Sequence, residues 1–319
     1  RLTTPSVGLR DRAQPFGVKS LPSPSWFWYS RAMRSPIPVV NVSSVPHRSP
    51  FRYPGGKTWL IPRVRQWLRS LARQPSVLVE PFAGGGIVGL TAGFEQLADH
   101  VVLVELDEQV AAVWLTILGG GAGWLADRIV SFDMTRENAL AALSVQTESV
   151  REQAFRTILR NRTFHGGILA PGSAPVRNGE NGKGLKSRWY PDTLARRIRE
   201  IGEIRDRFTF VRGDGIEEMR RHVERRRAVF FIDPPYTAGG KRAGARLYTH
   251  HEIDHERLFT VAQEVAGDVL LTYDDAPDVR RLAESHSFSV ERISMKNAHH
   301  TEMTELLIGR NLAWLHGPA

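Results

Sequence analysis

The chain of 319 residues contains no cysteine. Disulfide bonds, thiolate nucleophiles and cysteine-based zinc sites are therefore excluded, and this composition fits a reducing compartment. Long apolar runs are also missing, because no stretch of the sequence approaches the length of a membrane span. Acidic residues are scarce in residues 1–48, where Asp11 stands alone among many Ser, Pro and Arg. This segment has no hydrophobic periodicity, and we predict that it is a disordered or loosely attached extension.

Basic residues, in contrast, are in excess. The formal net charge is +9 and the sequence pI is about 10.2, which favours an acidic partner such as nucleic acid. Residues 150–200 alone contain eleven Arg or Lys and four Asp or Glu. A solvated helix surface has a similar composition, so charge by itself leaves both interpretations open. A membrane-surface role is less favoured, because the segment lacks a clear amphipathic helix.

Short apolar runs alternate with helical patterns from residue 76 onward, which is typical of buried strands in an α/β protein. The predicted strands cover residues 77–79, 101–104, 208–211, 229–232 and 269–272, followed by an antiparallel pair at 288–293 and 305–308. This order predicts a doubly wound, mostly parallel sheet. Residues 119–204 interrupt the alternation and are predicted to be an inserted, mainly helical domain between two parts of the α/β domain, residues 49–118 and 205–319.

The sequence Asp233-Pro234-Pro235-Tyr236 directly follows the predicted strand at 229–232. Ligands of open α/β sheets bind beyond the carboxyl ends of the strands. Two prolines continue neither a strand nor a helix, so they stiffen the loop that carries the acid and the aromatic ring. A carboxylate beside a flat ring suits an exocyclic amino group on a planar base. The alternative is a strand end with a Pro-Pro stop and a surface Tyr.

Three further segments carry candidate binding residues. Glycines follow the first strand in the run Glu80–Gly86, where they allow a tight turn and close backbone approach to a ligand. Glu105 ends the second strand about twenty residues later, the offset at which an acid binds ribose hydroxyls. Asp214 follows the third strand and is interpreted either as an acceptor for an adenine amino group or as a helix N-cap. Upstream, the run Tyr53–Lys57 places Gly-Gly before a Lys, which fits either a ligand-facing amine or a plain turn.

Together these segments resemble the Dam-like, alpha-group DNA adenine-N6 methyltransferases, which use S-adenosyl-L-methionine. The resemblance spans residues 50–311 and depends on an ordered set of motifs rather than on any one of them. Tyr-Pro-Gly-Gly-Lys at 53–57 is similar to the N-terminal motif of that family, and Phe82-x-Gly84-x-Gly86 to its cofactor loop. Glu105 stands at the position of the ribose-binding acid, which is commonly Asp. Asp233–Tyr236 matches the family's Asp-Pro-Pro-Tyr.

The resemblance implies a Rossmann-like methyltransferase sheet with an inserted DNA target-recognition domain at 119–204. It implies an enzyme that moves a methyl group from S-adenosyl-L-methionine to the N6 amine of an adenine flipped out of double-stranded DNA. The implied catalytic residues are Asp233, Pro234, Pro235, Tyr236 and Lys57. The implied cofactor-binding residues are Tyr53, Lys57, Pro81, Phe82, Gly84, Gly86, Glu105, Asp214 and Asp233.

The arginine-rich insert is expected to contact DNA through phosphates or guanine edges. The expected DNA-binding residues are Arg160, Arg162, Lys183, Lys186 and Arg188. No metal is expected, and a cytoplasmic location with a bacterial or phage origin follows from the resemblance. A cognate restriction endonuclease is an optional partner of such enzymes.

Other readings of the sequence stay open. The same amine chemistry serves cytosine N4 or adenine in RNA, and the Asp-Pro-Pro-Tyr sequence does not separate these acceptors. A catalytically inactive nucleic-acid-binding relative has the same basic surface, although it does not need Lys57, Asp233 and Tyr236 together. Methylation of cytosine C5 requires a thiolate and is excluded by the lack of cysteine.

Overall fold

The computed structural model describes residues 45–53, 55–177, 179, 182–235, 249–250, 252–296 and 302–316. The strands are β1 (Val77–Glu80), β2 (His100–Glu105), β3 (Phe208–Arg212), β4 (Ala228–Ile232), β5 (Asp268–Asp274), β6 (Ser289–Lys296) and β7 (Glu302–Gly309). Among the described residues these seven form one sheet in the order β3-β2-β1-β4-β5-β7-β6.

Strands β1 to β5 are parallel to one another, and β7 is antiparallel to both β5 and β6. This confirms the predicted doubly wound, mostly parallel sheet and its terminal antiparallel pair. The chain builds outward from β1 through β2 to β3, and then returns to place β4 on the other side of β1. Such a reversal opens a crevice at the carboxyl ends of the strands on either side of it.

Helices cover both faces of the sheet. They are α1 (Ile61–Ser70), α2 (Ile87–Phe94), α3 (Glu108–Thr116), α4 (Ala122–Val130), α5 (Arg136–Ser144), α6 (Val150–Thr163), α7 (Pro191–Glu203), α8 (Gly215–Arg221), α9 (His255–Glu264) and α10 (Pro277–Ser285). Side chains alternate along each strand, so Leu78 joins the core under α1 to α7, while Val77 and Val79 join the core under α8 to α10. The sheet is therefore buried on both faces, as continuous apolar strands require.

The predicted insert is mainly helical in the structure. Helix α3 packs against α6 and α4 packs against α7, so that Phe155 and Ile198 share one core with Trp114 of the α/β part. All the described residues belong to one compact unit, residues 37–319. The division of the chain at 119 and 204 into separate domains stays a prediction.

The predicted N-terminal extension lies largely outside the described residues. Its last four residues are described, and two of them, Val45 and Arg48, are packed on the α/β part. Val45 is buried in the core, and the Arg48 guanidinium lies 3.3 Å from the Glu95 carboxylate and stacks over the Phe94 ring. The extension therefore ends as part of the folded body.

The helical stretch Glu108–Val130 has the length and the mean hydropathy, 1.3, of a membrane-spanning helix. However, 61% of its most apolar window is buried inside the protein. A helix in the centre of a globular core has the same composition, because it is surrounded by apolar neighbours on most sides.

Candidate active site

Four strand ends surround a single cavity of about 560 Å³. They belong to β1, β2, β3 and β4, the strands on both sides of the reversal in strand order. The volume lies within the range of about 300–1,000 Å³ that is typical of ligand pockets. The predicted site residues that line the cavity are Tyr53, Lys57, Pro81, Phe82, Gly86, Glu105, Arg162, Arg188, Asp214, Asp233 and Pro235.

The glycine turn after β1 is held by its neighbours so that its backbone faces the cavity. Gly84 and Gly86 have φ angles of +46° and +62°, which favour glycine. The buried Trp114 donates its indole N–H to the carbonyl of Gly84 at 3.0 Å. A Cβ atom at Gly84 would lie 2.5 Å from the ring of Tyr53, which packs directly on the turn. The turn therefore requires glycine for both its conformation and its contact.

Glu105 is held in place by the backbone at the end of β2. Its Oε2 atom accepts the N–H of Gly84 at 2.9 Å, and Oε1 accepts those of Leu106 and Asp107 at 2.8 and 2.9 Å. Burial raises the pKa of this carboxyl to about 7, although the three N–H donors favour the ionised form. The carboxylate is thus fixed at the cavity wall and ties β2 to the glycine turn.

Asp214 has the structural role that the sequence left open. Its Oδ1 atom accepts the N–H of Ile216 at 2.7 Å and that of Glu217 at 3.3 Å, so it is the N-cap of α8. The Arg257 guanidinium lies 3.6 Å from its Oδ2 atom. Asp214 also lines the cavity, which means that the cap does not exclude contact with a ligand.

Asp233 sits at the carboxyl end of β4 with two donors on one of its oxygens. The ammonium of Lys57 lies 3.0 Å from Oδ1, and the buried hydroxyl of Thr272 donates to the same atom at 2.8 Å. Lys57 is buried, and its ammonium also donates to the carbonyl of Gly55 at 3.0 Å and lies 3.6 Å from the carboxylate of Glu305. Burial disfavours the charged amine, but Asp233 and Glu305 outweigh it and raise the pKa of Lys57.

Glu80 adds a second buried carboxyl to this end of the cavity. Its Oε2 atom accepts the N–H of Gly89 at 2.7 Å. Burial, with a smaller contribution from the charge of Asp233, raises the pKa of Glu80 to about 8. Glu80 is therefore mostly protonated at neutral pH. Within the described residues no group of three or more His, Asp or Glu side chains is placed to hold a metal ion.

Four arginines of the cavity lining lie near one another, and we call this group the arginine wall: Arg52, Arg162, Arg188 and Arg197. Burial and the positive charges of the other three lower the pKa of Arg162 to about 9. Its guanidinium is buried and donates to the carbonyl of Pro50 at 2.5 Å.

The other predicted DNA-binding residues lie away from the cavity lining. Arg160 stacks on the ring of Phe164 at 4.8 Å and donates to the hydroxyl of Ser173 at 3.2 Å. Lys183 and Lys186 are exposed on the surface. Their role in binding DNA stays a prediction, as does that of the two wall residues Arg162 and Arg188.

Three predicted catalytic or cofactor-binding residues are not among those that line the cavity: Tyr236, Gly84 and Pro234. Tyr236 lies outside the described residues, so its place is not assigned. Gly84 does not line the cavity itself but fixes the turn that does. Pro234 is described between Asp233 and Pro235, and it stiffens the approach to the cavity.

Sequence reasoning missed several residues of the site. Arg52 was within reach, because it directly precedes the motif Tyr53–Lys57. Thr272 and Glu305 gave no signal, since each belongs to an apolar strand pattern in which a polar residue has no distinguishing neighbour. Only the pairing of β5 with β4 and β7 brings them to Asp233 and Lys57.

Comparison with known proteins finds one matching family model and one curated relative. The model for D12 class N6 adenine-specific DNA methyltransferases matches residues 53–299. A DNA N-6-adenine-methyltransferase of Escherichia phage P1 is 27% identical over 259 residues, which cover 76% of this chain and 32% of the relative. The chain thus spans about a third of the length of the curated relative that it matches.

Two solved structures have weaker similarity. An rRNA methyltransferase from Streptomyces viridochromogenes is 16% identical with a TM-score of 0.38, over 84% of this chain and 90% of that one. A SAM-dependent methyltransferase from Agrobacterium tumefaciens is 10% identical with a TM-score of 0.35, over 78% and 59%. At these TM-scores neither structure bears on the function of this chain.

Replacing Gly84 by Ala is expected to destabilise the protein by roughly 1–3 kcal/mol, because the new Cβ meets the Tyr53 ring and the backbone has a positive φ. The matched control is Gly123→Ala in α4, where nothing lies within 4 Å of the added atom and a helix gains up to about 1 kcal/mol. Urea denaturation measures both. A Gly84→Ala protein as stable as the wild type would contradict this account of the turn.

Replacing Glu80 by Gln is expected to change how stability depends on pH. Between the ordinary carboxyl pKa of 4.5 and the raised value of about 8, the folded state keeps a proton that the unfolded state has lost. The free energy of unfolding of the wild type therefore falls as pH rises through this range, by at most about 1.4 kcal/mol per pH unit from this group. Because Gln does not titrate, the free energy of unfolding of Glu80→Gln lacks this decrease with pH.

Urea denaturation at pH 5, 6.5 and 8 tests the expectation. Relative to the wild type, Glu80→Gln should become steadily more stable as pH rises, whereas the exposed surface change Glu224→Gln should show a constant difference. A wild-type minus Glu80→Gln difference that does not vary with pH would show that the carboxyl is not buried as described.

Proposed function

The chain belongs to the D12 class N6 adenine-specific DNA methyltransferase family, and we propose that it transfers a methyl group from S-adenosyl-L-methionine to the N6 amine of an adenine flipped out of double-stranded DNA. The observation that carries the proposal is the single cavity that contains both the glycine turn and Asp233. A cofactor on the turn and a base at Asp233 would meet in that space. We expect such a protein to act in the cytoplasm, where its DNA lies.

The cavity residues fit the cofactor. The left-handed glycines allow the backbone of the turn to reach the cavity wall, where Gly86 belongs to the lining. Glu105 presents a fixed carboxylate at the offset expected for ribose hydroxyls. Phe82, Leu106 and Ile216 line the space between Glu105 and Asp214 and offer apolar contact to a purine. When bound, S-adenosyl-L-methionine would supply the activated methyl group on its sulfonium.

Asp233 is the residue proposed to hold the target amine. Its carboxylate would accept a hydrogen bond from the N6 group, and the carbonyl of Pro234 would accept another. Because the amine lone pair is conjugated with the ring, it is a weak nucleophile, and these acceptors favour its release from conjugation. The N–CH3 bond would form as the S–CH3 bond of the sulfonium breaks and leaves a neutral thioether. The nitrogen would become positive, the fixed negative charge of Asp233 would stabilise it, and the nitrogen would then lose one proton to water.

The donors on Asp233 support this role. Lys57 and Thr272 both bind Oδ1, at 3.0 and 2.8 Å, and so restrict rotation of the carboxylate before substrate arrives. An acceptor that is already oriented does not lose rotational freedom in the transition state. Tyr236 would stack on the flipped base, where base–aromatic stacking contributes roughly 1–3 kcal/mol.

The arginine wall supports DNA as the substrate. Its four guanidinium groups line the same cavity as Asp233, and burial, together with repulsion by the other three, lowers the pKa of Arg162. A phosphate group beside the flipped nucleotide would neutralise that repulsion, and arginine binds phosphate in bidentate geometry. Lys183 and Lys186, exposed on the insert, would add phosphate contacts outside the cavity.

Replacing Asp233 by Ala is expected to lower methyl transfer by at least about 10²–10³-fold, the usual effect of removing one group that stabilises developing charge. The fold should persist, because Lys57 keeps its contacts with Glu305 and Gly55. The assay incubates the protein with methyl-labelled S-adenosyl-L-methionine and mixed double-stranded DNA, and digests the product to nucleosides. The same assay with RNA, and the identity of the methylated nucleoside, separate adenine N6 in DNA from cytosine N4 and from RNA.

The matched control is Asp206→Ala, since the side chain of Asp206 is 94% exposed. It should transfer methyl groups at the wild-type rate. Near-normal turnover by Asp233→Ala would refute the site assignment, and the absence of incorporation by the wild type into any DNA or RNA would refute the function.

A further inference from the structure

Glu305 has no part in the proposed chemistry, but its carboxylate contacts Lys57, which in turn contacts Asp233. Glu305 is on β7, its side chain is buried, and its Oε2 atom lies 3.6 Å from the ammonium of Lys57. Lys57 in turn lies 3.0 Å from Asp233. We propose that Glu305 is a positioning residue for methyl transfer, which acts through Lys57 to set the place and the effective charge of the Asp233 carboxylate. This inference rests on the proposed function.

The sheet explains how a distant residue reaches the site. Glu305 pairs with Asp274 in the antiparallel ladder of β5 and β7. Two residues before Asp274 on the same strand is Thr272, whose hydroxyl donates to Asp233. Side chains two residues apart point to the same face of a sheet, and directly opposite side chains share a face. Glu305 and Thr272 therefore approach Asp233 from the same face of neighbouring strands.

The effective charge of Asp233 depends on whether Glu305 is ionised, because both carboxyl groups contact the same ammonium. One ammonium serves two carboxylates, so a charge on Glu305 draws part of the Lys57 attraction away from Asp233. With Glu305 neutral, Lys57 pairs with Asp233 alone, and a more fully neutralised carboxylate is a weaker acceptor for the amine. With Glu305 ionised, Lys57 is shared and Asp233 keeps more of its negative charge for the substrate.

The groups that face Glu305 come from three elements. Lys57 belongs to the turn before α1, Asp233 follows β4, and Asp274 is on β5; the residue opposite on β6 is the apolar Ile293. Burial, together with the charges of Asp233 and Asp274, raises the pKa of Glu305 to about 7, against the opposing effect of Lys57. The ionisation of Glu305 therefore changes within the range of pH in which a cytoplasmic enzyme works.

The test is a pH profile of single-turnover methyl transfer from labelled S-adenosyl-L-methionine to mixed double-stranded DNA, between pH 5.5 and 8.5. The wild-type rate should rise through neutral pH as Glu305 ionises. Glu305→Gln, which keeps the volume of the side chain and removes its negative charge, should lose this rise. At pH 8.5 it should be at least tenfold slower than the wild type, with KM for the cofactor changed less than twofold.

Two further variants separate positioning from folding. Glu305→Asp keeps the charge, so it should retain a rise in rate with pH even if the shorter side chain lowers the rate overall. Glu284→Gln, an exposed change on α10, should have the wild-type profile. Thermal unfolding of each protein at each pH shows the folded fraction, to which the rates are normalised.

The outcomes distinguish the two proposals. If the wild type transfers methyl groups and Glu305→Gln has the same pH profile and rate, the positioning role is wrong and the proposed function stands. If Glu305→Asp loses the rise as completely as Glu305→Gln, the charge of residue 305 is not what matters and the inference also fails. If the wild type transfers no methyl group, both proposals fall.

Discussion

The site depends on one buried ammonium group. Lys57 is 2% exposed, and a lysine at such a position is stable only if charges of opposite sign surround it. Asp233 and Glu305 supply them, and they come from the two sides of β5 in the sheet. Lys57 itself precedes α1, so the ion pairs join the beginning of the α/β part to strands that follow the insert. Removing Lys57 would leave two carboxylates without their shared cation, whereas removing either carboxylate leaves one ion pair.

The sheet topology makes this convergence possible. Because the strand order reverses at β1, the ends of β1 and β4 lie side by side, and Glu80 and Asp233 occupy adjacent strand ends. The same edge brings Glu105 and Asp214 from β2 and β3. Each acid sits where a strand gives way to a loop, which is the only point at which a backbone running through a buried sheet can present a polar side chain to a ligand.

The sequence predicts the strands of the sheet well, but it predicts poorly the buried polar residues that contact Asp233 and Lys57. The strands were found because each is a short apolar run in a chain without long ones, and Asp233 was found because two prolines mark the end of its strand. Glu305 and Thr272 were missed because neither residue stands next to a motif that marks it. A polar residue inside a strand pattern looks like an ordinary surface position until the pairing of β5 and β7 is known. Asp214 is a third case, because the local sequence allowed two roles for it. In the structure its carboxylate accepts hydrogen bonds from the first turn of α8 and is the N-cap of that helix. The residue nevertheless lines the cavity.

The strand-end carboxyls and the arginine wall come from different elements of the cavity lining, and this polarity bears on the proposed substrate. Carboxyl groups of Glu80 and Asp233 lie at the strand ends, while the arginine wall comes from α6, α7 and the segments beside them. A nucleotide has the same polarity, since its base offers amine hydrogens and its phosphate offers negative oxygens. A flipped adenine with its amine at Asp233 would direct its phosphate away from the carboxylates, and the wall residues are cations available within the cavity. Phosphate groups are complementary to guanidinium groups and are missing from a free base or a small amine, so the arginine wall is consistent with the proposed nucleic-acid substrate.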